Sequence, residues 1–294
     1  MPQLGGRSLS MLYGTAWKKD RSAHLVFQAL QAGFRGVDTA AQPRHYQEHG
    51  VGQGIREAIS SGNVTREDIY IQTKYTPISG QDPNNLPYDA NASIPEQVNA
   101  SVSSSLSHLR HSDDNTTSYL DCLVLHSPLP TLSQTLEAWT AMSAHVPSRV
   151  RTLGISNTTL PILQALHSQS AVKPAVVQNR FYADTAYDAG VRAFCAAHGI
   201  IYQSFWTLTA NPALVRSQLV GEIAALVRIS REVAVYGLVA SLDGGNVCVV
   251  NGTTTHMLED VEGLRKVDIW KAEDGNEVVW RRFTDAFVRL IERI

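Results

Sequence analysis

Residues 10–40 read SMLYGTAWKKDRSAHLVFQALQAGFRGVDTA, and this stretch contains one complete unit of a pattern that the chain repeats. Residues 10–16 form a β-rich run, residues 22–33 carry apolar side chains at helical spacing, and residues 35–40 form a second β-rich run. Gly33 falls where a glycine that ends a helix belongs. The stretch therefore predicts a strand, a helix and a strand in succession, which is the unit of a parallel sheet.

The same alternation continues to the end of the chain. Eight β-rich runs are predicted as strands, at residues 10–16, 35–40, 68–74, 120–126, 151–156, 175–179, 200–205 and 246–251. Between them lie helical patterns such as SQTLEAWTAM, which predicts a helix that opens at Ser133 with Glu137 in its first turn. Eight such units predict an α/β fold, a closed (β/α)8 TIM barrel, with residues 1–294 as a single domain. An open doubly wound sheet is the alternative, but the sequence lacks its GxGxxG turn.

The composition is that of a globular protein without a strong charge of either sign. The sequence is 44% hydrophobic and has 25 Lys and Arg against 27 Asp and Glu, so no nucleic-acid or acidic-lipid surface is indicated. Cys122, Cys195 and Cys248 lie far apart in apolar contexts, which predicts buried thiols in a reducing compartment and no metal site. No apolar run or leader indicates a membrane or secreted protein, so we expect a cytoplasmic one.

Two segments depart from the regular pattern. Residues 75–93, YTPISGQDPNNLPYDANAS, follow a predicted strand and are rich in Pro, Asn, Asp and Gly, so we expect a long loop that shapes the catalytic face. Residues 276–294 have an amphipathic helical pattern that includes Trp280 and Phe287. We expect this C-terminal helix to pack against the barrel.

Four ionisable side chains stand at or just after the ends of predicted strands. Asp38, Lys74 and His126 lie at the ends of the second, third and fourth strands, and Tyr46 lies in the segment that follows Asp38. Each of them alone fits a structural role, as a helix cap, a solvated strand end, a core histidine or a packing residue. The C-terminal strand ends of a barrel meet at one mouth, however, so the four together predict one site.

The chemistry of these four groups suits proton transfer to an oxygen atom. A nearby ammonium stabilises a phenolate, so Lys74 is expected to lower the pKa of Tyr46. Asp38 would keep the lysine charged and oriented, and a neutral His126 could donate to a carbonyl oxygen. No nucleophile with a paired base is recognisable. The pattern predicts an acid that protonates a forming alkoxide, with the hydride supplied by a cofactor.

The sequence resembles the aldo-keto reductase superfamily over nearly the whole chain. GTAWK at residues 14–18 resembles the G-T-x-W-K motif of that family, DTA at residues 38–40 its D-T-A motif, and GISN at residues 154–157 its G-[IV]-S-N motif. The resemblance implies that the catalytic tetrad of the family is formed here by Asp38, Tyr46, Lys74 and His126.

The position of the tyrosine departs from the usual spacing of the family. Extra residues separate the D-T-A motif from Tyr46, and DTAAQPRHY at residues 38–46 is similar to a fungal-type branch of the family. We assign Tyr46 as the acid on that similarity. His45 and Tyr75 are the alternatives.

The resemblance implies NADPH as the cofactor, with NADH as the alternative. Ser156, Asn157 and Gln178 would bind the nicotinamide carboxamide, and Phe205 would stack on the nicotinamide ring. The full set of implied cofactor-binding residues is Gly14, Thr15, Ser156, Asn157, Gln178, Phe205, Trp206, Leu208, Gly252, Thr253, Thr254, His256, Glu259 and Asp260. Trp17 and Tyr75 are expected in the wall of the substrate site.

The segment after the eighth strand departs from the family pattern where a basic residue usually holds the adenosine 2′-phosphate. It reads VVNGTTTHMLED at residues 249–260, with His256 about where the family has its arginine. Hydroxyls and backbone N–H groups at the start of the next helix offer an anion site, but a bidentate guanidinium is missing. Arg265 or Lys266 could compensate from the following turns.

The sequence thus predicts an NADP-dependent oxidoreductase that reduces an aldehyde or ketone to an alcohol, with Tyr46 as the proton donor. The apolar and aromatic wall suits a small hydrophobic or aromatic carbonyl substrate. We expect a monomer with no nucleic-acid or membrane partner. The alternative is a protein of the same fold with lost or repurposed redox activity, such as a nucleotide-sensing regulatory subunit, a lyase or an isomerase.

Overall fold

The computed structural model of the protein describes residues 3–112 and 114–293. A short antiparallel ribbon, β1 (Gln3–Leu4) and β2 (Arg7–Ser8), precedes a closed barrel of eight parallel strands. The barrel strands are β3 (Met11–Gly14), β4 (Gly36–Asp38), β5 (Tyr70–Tyr75), β6 (Leu120–Leu125), β7 (Val150–Ser156), β8 (Val176–Arg180), β9 (Ile201–Phe205) and β10 (Val247–Asn251). The predicted (β/α)8 barrel is confirmed, whereas the ribbon was not predicted.

The ring closes because the last strand pairs with the first. β10 lies between β9 and β3, and its Val249 is opposite Met11 of β3. From β3 to β10, each strand pairs in parallel with the next strand along the chain. All carboxyl ends of the strands therefore open at one mouth, where the sequence predicted the site.

Twelve helices surround the described strands or cap their ends. They are α1 (Ser22–Gln31), α2 (Glu48–Ser60), α3 (Ile94–His108), α4 (Leu132–Ser143), α5 (Leu160–Gln169), α6 (Ala189–Ala197), α7 (Pro212–Arg216), α8 (Gln218–Val227), α9 (Arg231–Ala240), α10 (Leu242–Gly245), α11 (Met257–Ala272) and α12 (Asn276–Ile291). As predicted, α1 ends just before Gly33, whose φ of 106° is in the left-handed region. None of these helices is both long and apolar enough to cross a membrane.

The start of α4 differs from the prediction by one position. Thr131 caps this helix, because its hydroxyl accepts the backbone N–H of Gln134 at 3.2 Å, and the first helical residue is Leu132. Glu137 therefore lies in the second turn and not in the first.

The core has two parts. One is the apolar layer between the strands and the helices, and the other fills the closed lower end of the barrel, where Leu4 and Leu9 pack with Leu12, Cys122 and Cys248. All three cysteines of the chain are buried and free, as predicted.

The C-terminal helix packs as predicted, although its last predicted residue, Ile294, lies outside the described residues. Trp280 and Phe287 of α12 are buried, and Nε1 of Trp280 donates to the hydroxyl of Ser241 at 2.9 Å. This helix lies against the outer helices α8, α9 and α11, so it extends the helical layer around the barrel.

Candidate active site

A cleft of about 940 Å³ lies at the carboxyl ends of the strands. On one side of the barrel mouth it is lined by Trp17, Tyr46 and His126, which follow or end β3, β4 and β6. On the other side it extends past the end of β10 to Glu232 of α9 and Glu259 of α11. The cleft is thus a trough that crosses the mouth.

Asp38 and Lys74 form a buried ion pair under the first side of this cleft. Nζ of Lys74 donates to both carboxylate oxygens of Asp38, at 2.8 and 2.7 Å, and to the carbonyl oxygen of Thr39 at 2.8 Å. Burial is the largest influence and opposes the charged ammonium, but the charge and hydrogen bond of Asp38, together with Tyr46 and Cys122, outweigh burial and raise the pKa of Lys74. The lysine is therefore held charged, as the sequence predicted.

Tyr46 lies directly above this ion pair. Nζ of Lys74 is 5.3 Å from the centre of the Tyr46 ring, and the backbone N–H of Tyr46 donates to the carbonyl of Gln42 at 3.0 Å. Burial raises the pKa of Tyr46, and the charge and hydrogen bond of Lys74 oppose that rise without cancelling it. Lys74 does act to lower the pKa of Tyr46, as predicted, but the effect of burial is larger. The phenol therefore stays protonated at neutral pH.

His126 completes the group. Its ring centre is 6.1 Å from that of Tyr46, in an edge-to-face arrangement, and its Nδ1 is 2.6 Å from the hydroxyl of Thr76. Burial, helped by the charges of Lys74 and His45, places the pKa of His126 well below its usual 6.5. The structure therefore brings the four predicted side chains together and keeps the imidazole neutral.

A layer of buried glutamines supports the ion pair from below, and sequence reasoning missed two of them. Oδ1 of Asp38 also accepts from Nε2 of Gln72 at 2.7 Å and from Nε2 of Gln178 at 3.0 Å. Oε1 of Gln203 accepts from the same two amides, at 2.8 and 2.9 Å. The signal was an amide in the middle of an otherwise apolar strand, as in DIYIQTK and IIYQSF.

Most residues implied as cofactor ligands line the cleft. These are Gly14, Ser156, Asn157, Gln178, Phe205, Trp206, Leu208, Gly252, Thr253, His256, Glu259 and Asp260. Thr15 does not, because its hydroxyl is buried behind the wall and donates to the carbonyl of Asp38 at 2.9 Å. Thr254 does not either, since the turn after β10 places Thr253 against the cleft instead.

The residues expected to bind the nicotinamide already make hydrogen bonds within the protein. The Ser156 hydroxyl donates to the backbone carbonyl oxygen of Gln178 at 2.6 Å, and Nδ2 of Asn157 donates to the backbone carbonyl oxygen of His126 at 2.9 Å. Nε2 of Gln178 uses both of its N–H groups on Asp38 and Gln203. Oε1 is therefore the atom of the Gln178 amide that can receive a ligand donor.

Three residues of the cleft wall other than glycine have left-handed backbone conformations. They are Trp17 with φ 64°, Asn157 with φ 52° and Trp206 with φ 60°, each just after a barrel strand. This conformation costs a bulky residue on the order of 1–2 kcal/mol. Both tryptophans are exposed, by 64% and 51%. Two exposed aromatic side chains thus meet the cleft at strained backbone positions.

The prediction that Tyr75 lines the substrate site is wrong, and Tyr75 is not placed to be the acid. Its side chain is buried, its hydroxyl is 3.3 Å from Oε1 of Gln97 on α3, and its ring packs on Tyr88. Successive strand residues point to opposite faces, so Tyr75 points to the helices because Lys74 points to the mouth. The other alternative acid, His45, does line the cleft and packs on Trp17 with ring centres 3.8 Å apart.

The long loop after β5 shapes the cleft, as predicted. Thr76 and Gly80 of this loop line the cleft, and the hydroxyl of Tyr88 folds back to donate to the Thr76 carbonyl at 2.5 Å. Nε2 of Gln81 ties the same loop to the carbonyl of Ala41 at 2.8 Å. These contacts hold Thr76 in place beside His126.

Lys18, the last residue of the GTAWK motif, also lines the cleft, although no role was predicted for it. It is buried, lines the cleft, and donates from Nζ to the carbonyl of Gly252 after β10. Burial, and then the charge of Arg21, lowers the pKa of Lys18. Its position between β3 and β10 supplies a positive group near the middle of the trough.

The basic residues expected to compensate for the missing arginine do not reach the cleft. Arg265 and Lys266 do not line it, and Nζ of Lys266 donates to the carbonyl of Arg228 at 2.8 Å. His256 does line it, but its Nδ1 is 2.9 Å from a carboxylate oxygen of Glu259. The described residues contain no group of three or more His, Cys, Asp or Glu side chains suited to a metal ion.

Comparison with known proteins gives the family. The model of the aldo/keto reductase family matches residues 3–224. An uncharacterized oxidoreductase of Schizosaccharomyces pombe is 29% identical over 265 residues, which cover 89% of this chain and 82% of that protein. A second protein of that yeast, named NAD/NADP-dependent indole-3-acetaldehyde reductase, is 30% identical over 190 residues, which cover 63% of this chain and 57% of its own.

A solved structure shares the whole architecture. The aldo-keto reductase of Bombyx mori, solved in complex with NADP, superimposes with a TM-score of 0.72 at 22% identity and covers 99% of this chain and 91% of its own. At 22% sequence identity, this structural similarity by itself shows only that the two proteins share a fold. Together with the family match over most of the sequence, it establishes that this chain belongs to the aldo/keto reductase family.

Proposed function

We propose that this protein reduces an aldehyde or ketone to an alcohol with a nicotinamide dinucleotide, and that Tyr46 donates the proton. The observation that carries the proposal is the cluster in which a protonated phenol and a neutral imidazole face one cleft, above the buried pair of Lys74 and Asp38. A protein without a proton-transfer task has no need to bury a lysine and an aspartate beneath a tyrosine.

The cleft has the size and the groups that a dinucleotide requires. Its volume of about 940 Å³ is at the upper end of the range for ligand sites. Phe205 offers an aromatic face, Oε1 of Gln178 can accept from a carboxamide, and Lys18 provides positive charge where phosphates would cross the mouth. When bound, the nicotinamide supplies the hydride for the carbonyl carbon.

Tyr46 is suited to give its proton only when negative charge develops on the substrate oxygen. Burial raises the pKa of the free phenol, so the proton stays in place at neutral pH. Once the proton has moved, the ammonium of Lys74 stabilises the phenolate that remains. Asp38, held by three donors, keeps that ammonium charged and aimed.

His126 orients the carbonyl oxygen, and Thr76 decides which nitrogen of the imidazole donates. The Thr76 side chain is buried, and Nδ1 of His126 at 2.6 Å is the acceptor available to its hydroxyl proton. A neutral imidazole that accepts at Nδ1 carries its hydrogen on Nε2. Nε2–H is then the donor that faces the cleft. Thr76 acts as a positioning residue.

The walls of the cleft favour a hydrophobic or aromatic carbonyl compound. Trp17 packs at a tilt against His45, and Trp206 stands across the mouth with its ring 4.8 Å from the guanidinium of Arg180. These exposed aromatic faces bind apolar groups well and have few fixed hydrogen-bond partners for a polyol.

Relatives support a nicotinamide dinucleotide of either kind. One is named NAD/NADP-dependent and acts on indole-3-acetaldehyde, an aromatic aldehyde, and the Bombyx mori neighbour holds NADP. The family pattern puts NADPH first, with NADH as the alternative. The residues at the outer end of the cleft must decide between the two cofactors.

The decisive variant is Tyr46→Phe. It should lower kcat for a test substrate such as 4-nitrobenzaldehyde by about 10²–10⁴-fold and leave dinucleotide binding unchanged, because only the proton donor is removed. Tyr75→Phe makes the same chemical change at the alternative tyrosine and should keep full turnover, since Tyr75 lies outside the cleft. Full turnover by the Tyr46 variant would rule out this mechanism and favour a sensing or repurposed role.

A further inference from the structure

We infer that the outer end of the cleft selects a ribose 2′-hydroxyl over a 2′-phosphate, so that the protein binds NADH more tightly than NADPH, with Glu259 as the discriminating residue. The inference rests on the proposed function and specifies its cofactor. It reverses the order of the two cofactors that the family resemblance implied.

The position of the adenosine follows from the shape of the cleft. Hydride transfer needs the nicotinamide beside Tyr46 and His126, on the side of the mouth formed by β4 and β6. The remainder of a dinucleotide must then extend along the trough, past Lys18 and Gly252, to the space between α9 and α11. The ribose next to the adenine therefore meets the side chains at the start of α11.

That outer end of the cleft is acidic. It is lined by three acidic residues, Glu232 of α9 and Glu259 and Asp260 of α11. Among the described residues that line the cleft beyond Thr253, the basic side chain is His256. Asp260 is anchored, because its Oδ2 accepts from Nδ2 of Asn251 at 2.7 Å. Three carboxylates thus line the end of the cleft that the adenosine ribose would reach.

His256 does not counterbalance these carboxylates, because it is already paired. Its Nδ1 lies 2.9 Å from Oε2 of Glu259, one turn further along the chain. The hydrogen bond to Glu259, together with the charges of the neighbouring carboxylates, raises the pKa of His256, and the charged form that this favours is held by Glu259. A phosphate that approached His256 would also approach the carboxylate that holds it.

The two ribose substituents respond to this environment in opposite ways. A phosphate monoester carries a charge of about −1.5 to −2 at pH 7. His256 offsets at most one of the three carboxylates here, so their net negative charge repels the phosphate. A hydroxyl can instead donate to a carboxylate, which is how acidic residues read the ribose of NAD in other dinucleotide sites. The guanidinium that would accommodate a phosphate is missing from this wall. Charge and hydrogen bonding therefore both favour NADH.

Binding measurements on the intact protein test the inference without turnover. Titrations of NADH and NADPH, followed by tryptophan fluorescence, should give a Kd for NADPH that is about tenfold higher at low salt. Calorimetry with 5′-AMP and adenosine 2′,5′-bisphosphate, which differ only in the 2′-phosphate, should give the same order. The ratio should shrink as salt is added, because the repulsion is screened.

Glu259→Gln should reduce the NADPH-to-NADH Kd ratio at least threefold, because it removes one carboxylate and frees His256. Glu262→Gln is the matched control, since Glu262 lies on the same helix, is exposed and does not line the cleft. Both variants should keep the melting temperature of the parent protein.

Tighter binding of NADPH than of NADH, or a ratio that Glu259→Gln leaves unchanged, would overturn the inference and leave the proposed function standing. If neither dinucleotide bound, the proposed function would fall and this inference with it. The two failures are thus distinguished by the same titrations.

Discussion

The hydroxyl oxygen of Thr76 lies 2.6 Å from Nδ1 of His126. Thr76 is the first residue after β5, and its carbonyl oxygen accepts from the hydroxyl of Tyr88 at 2.5 Å and from Nε2 of Gln81 at 3.2 Å. The long loop after β5 therefore fixes the residue that orients the imidazole. A loop outside the proposed catalytic group thus positions one of its members.

Removing this hydroxyl should weaken the proposed reaction. We expect Thr76→Val to lower kcat by roughly tenfold or more, because the imidazole is then free to turn or to carry its hydrogen on Nδ1. Thr76→Ser keeps a hydroxyl at the same place and should restore most of the activity. Steady-state kinetics of both variants would check this.

A purely structural role for Thr76 would give a different result. In that case the valine variant would lose thermal stability and kcat together, and ¹⁵N NMR of His126 would show the same tautomer in all three proteins. A change of tautomer in the valine variant alone, with Nε2–H dominant in the parent protein and in Thr76→Ser, is the expected result.

The rate of carbonyl reduction should be nearly constant between about pH 6.5 and 9.5. The acid must be protonated, and burial raises the pKa of Tyr46 above its usual 10.0, so the rate falls only at higher pH. The imidazole must be neutral, and the pKa of His126 lies well below 6.5, so the rate falls again only in acid. A pH profile of kcat measures both limbs.

A different profile would revise the electrostatics of the site. A decline in the reduction rate that begins below about pH 8.5 would mean that Lys74 outweighs burial and lowers the pKa of Tyr46. Such a result would support the sequence-based expectation that the pKa of Tyr46 is lowered, and it would contradict the rise that burial causes. The Tyr46→Phe variant should show no alkaline limb in either case.

Close packing of α1 against α2 predicts a stability effect far from the cleft. A Cβ at Gly54 of α2 would lie 2.3 Å from the backbone carbonyl oxygen of Ala23 on α1, so the helices must separate to admit it. We expect Gly54→Ala to lower the free energy of unfolding by about 1–3 kcal/mol. Chemical denaturation would measure the change.

Gly190→Ala serves as the control for this prediction. Gly190 is also in a helix, α6, but the nearest atom to an added Cβ is Cδ2 of Leu160, at an ordinary contact distance of 3.5 Å. This variant should be neutral or stabilised by up to about 1 kcal/mol, since alanine is the better helix former. If Gly54→Ala were as well tolerated as Gly190→Ala, the α1–α2 contact would be shown to yield to the added methyl group.

The order of strands and helices, and most of the proposed catalytic group, could be predicted from the sequence. Each predicted strand is present because β-rich runs and helical spacing are properties of short stretches of chain. Asp38, Lys74 and His126 were recognisable because a polar residue at the end of an apolar strand is costly unless it serves a site. Closure of eight units then placed them at one mouth without further information.

Tertiary structure alone decided which of these groups touch and which way they face. Gln72 and Gln203, 131 positions apart in the chain, meet only because barrel closure brings β5 and β9 to one interior layer. Tyr75 turns from the cleft to the helices because the side chain before it in the strand takes the inward position. Local propensity carries no record of such pairings, since they depend on register and closure between distant segments, and these arise only when the whole barrel has formed.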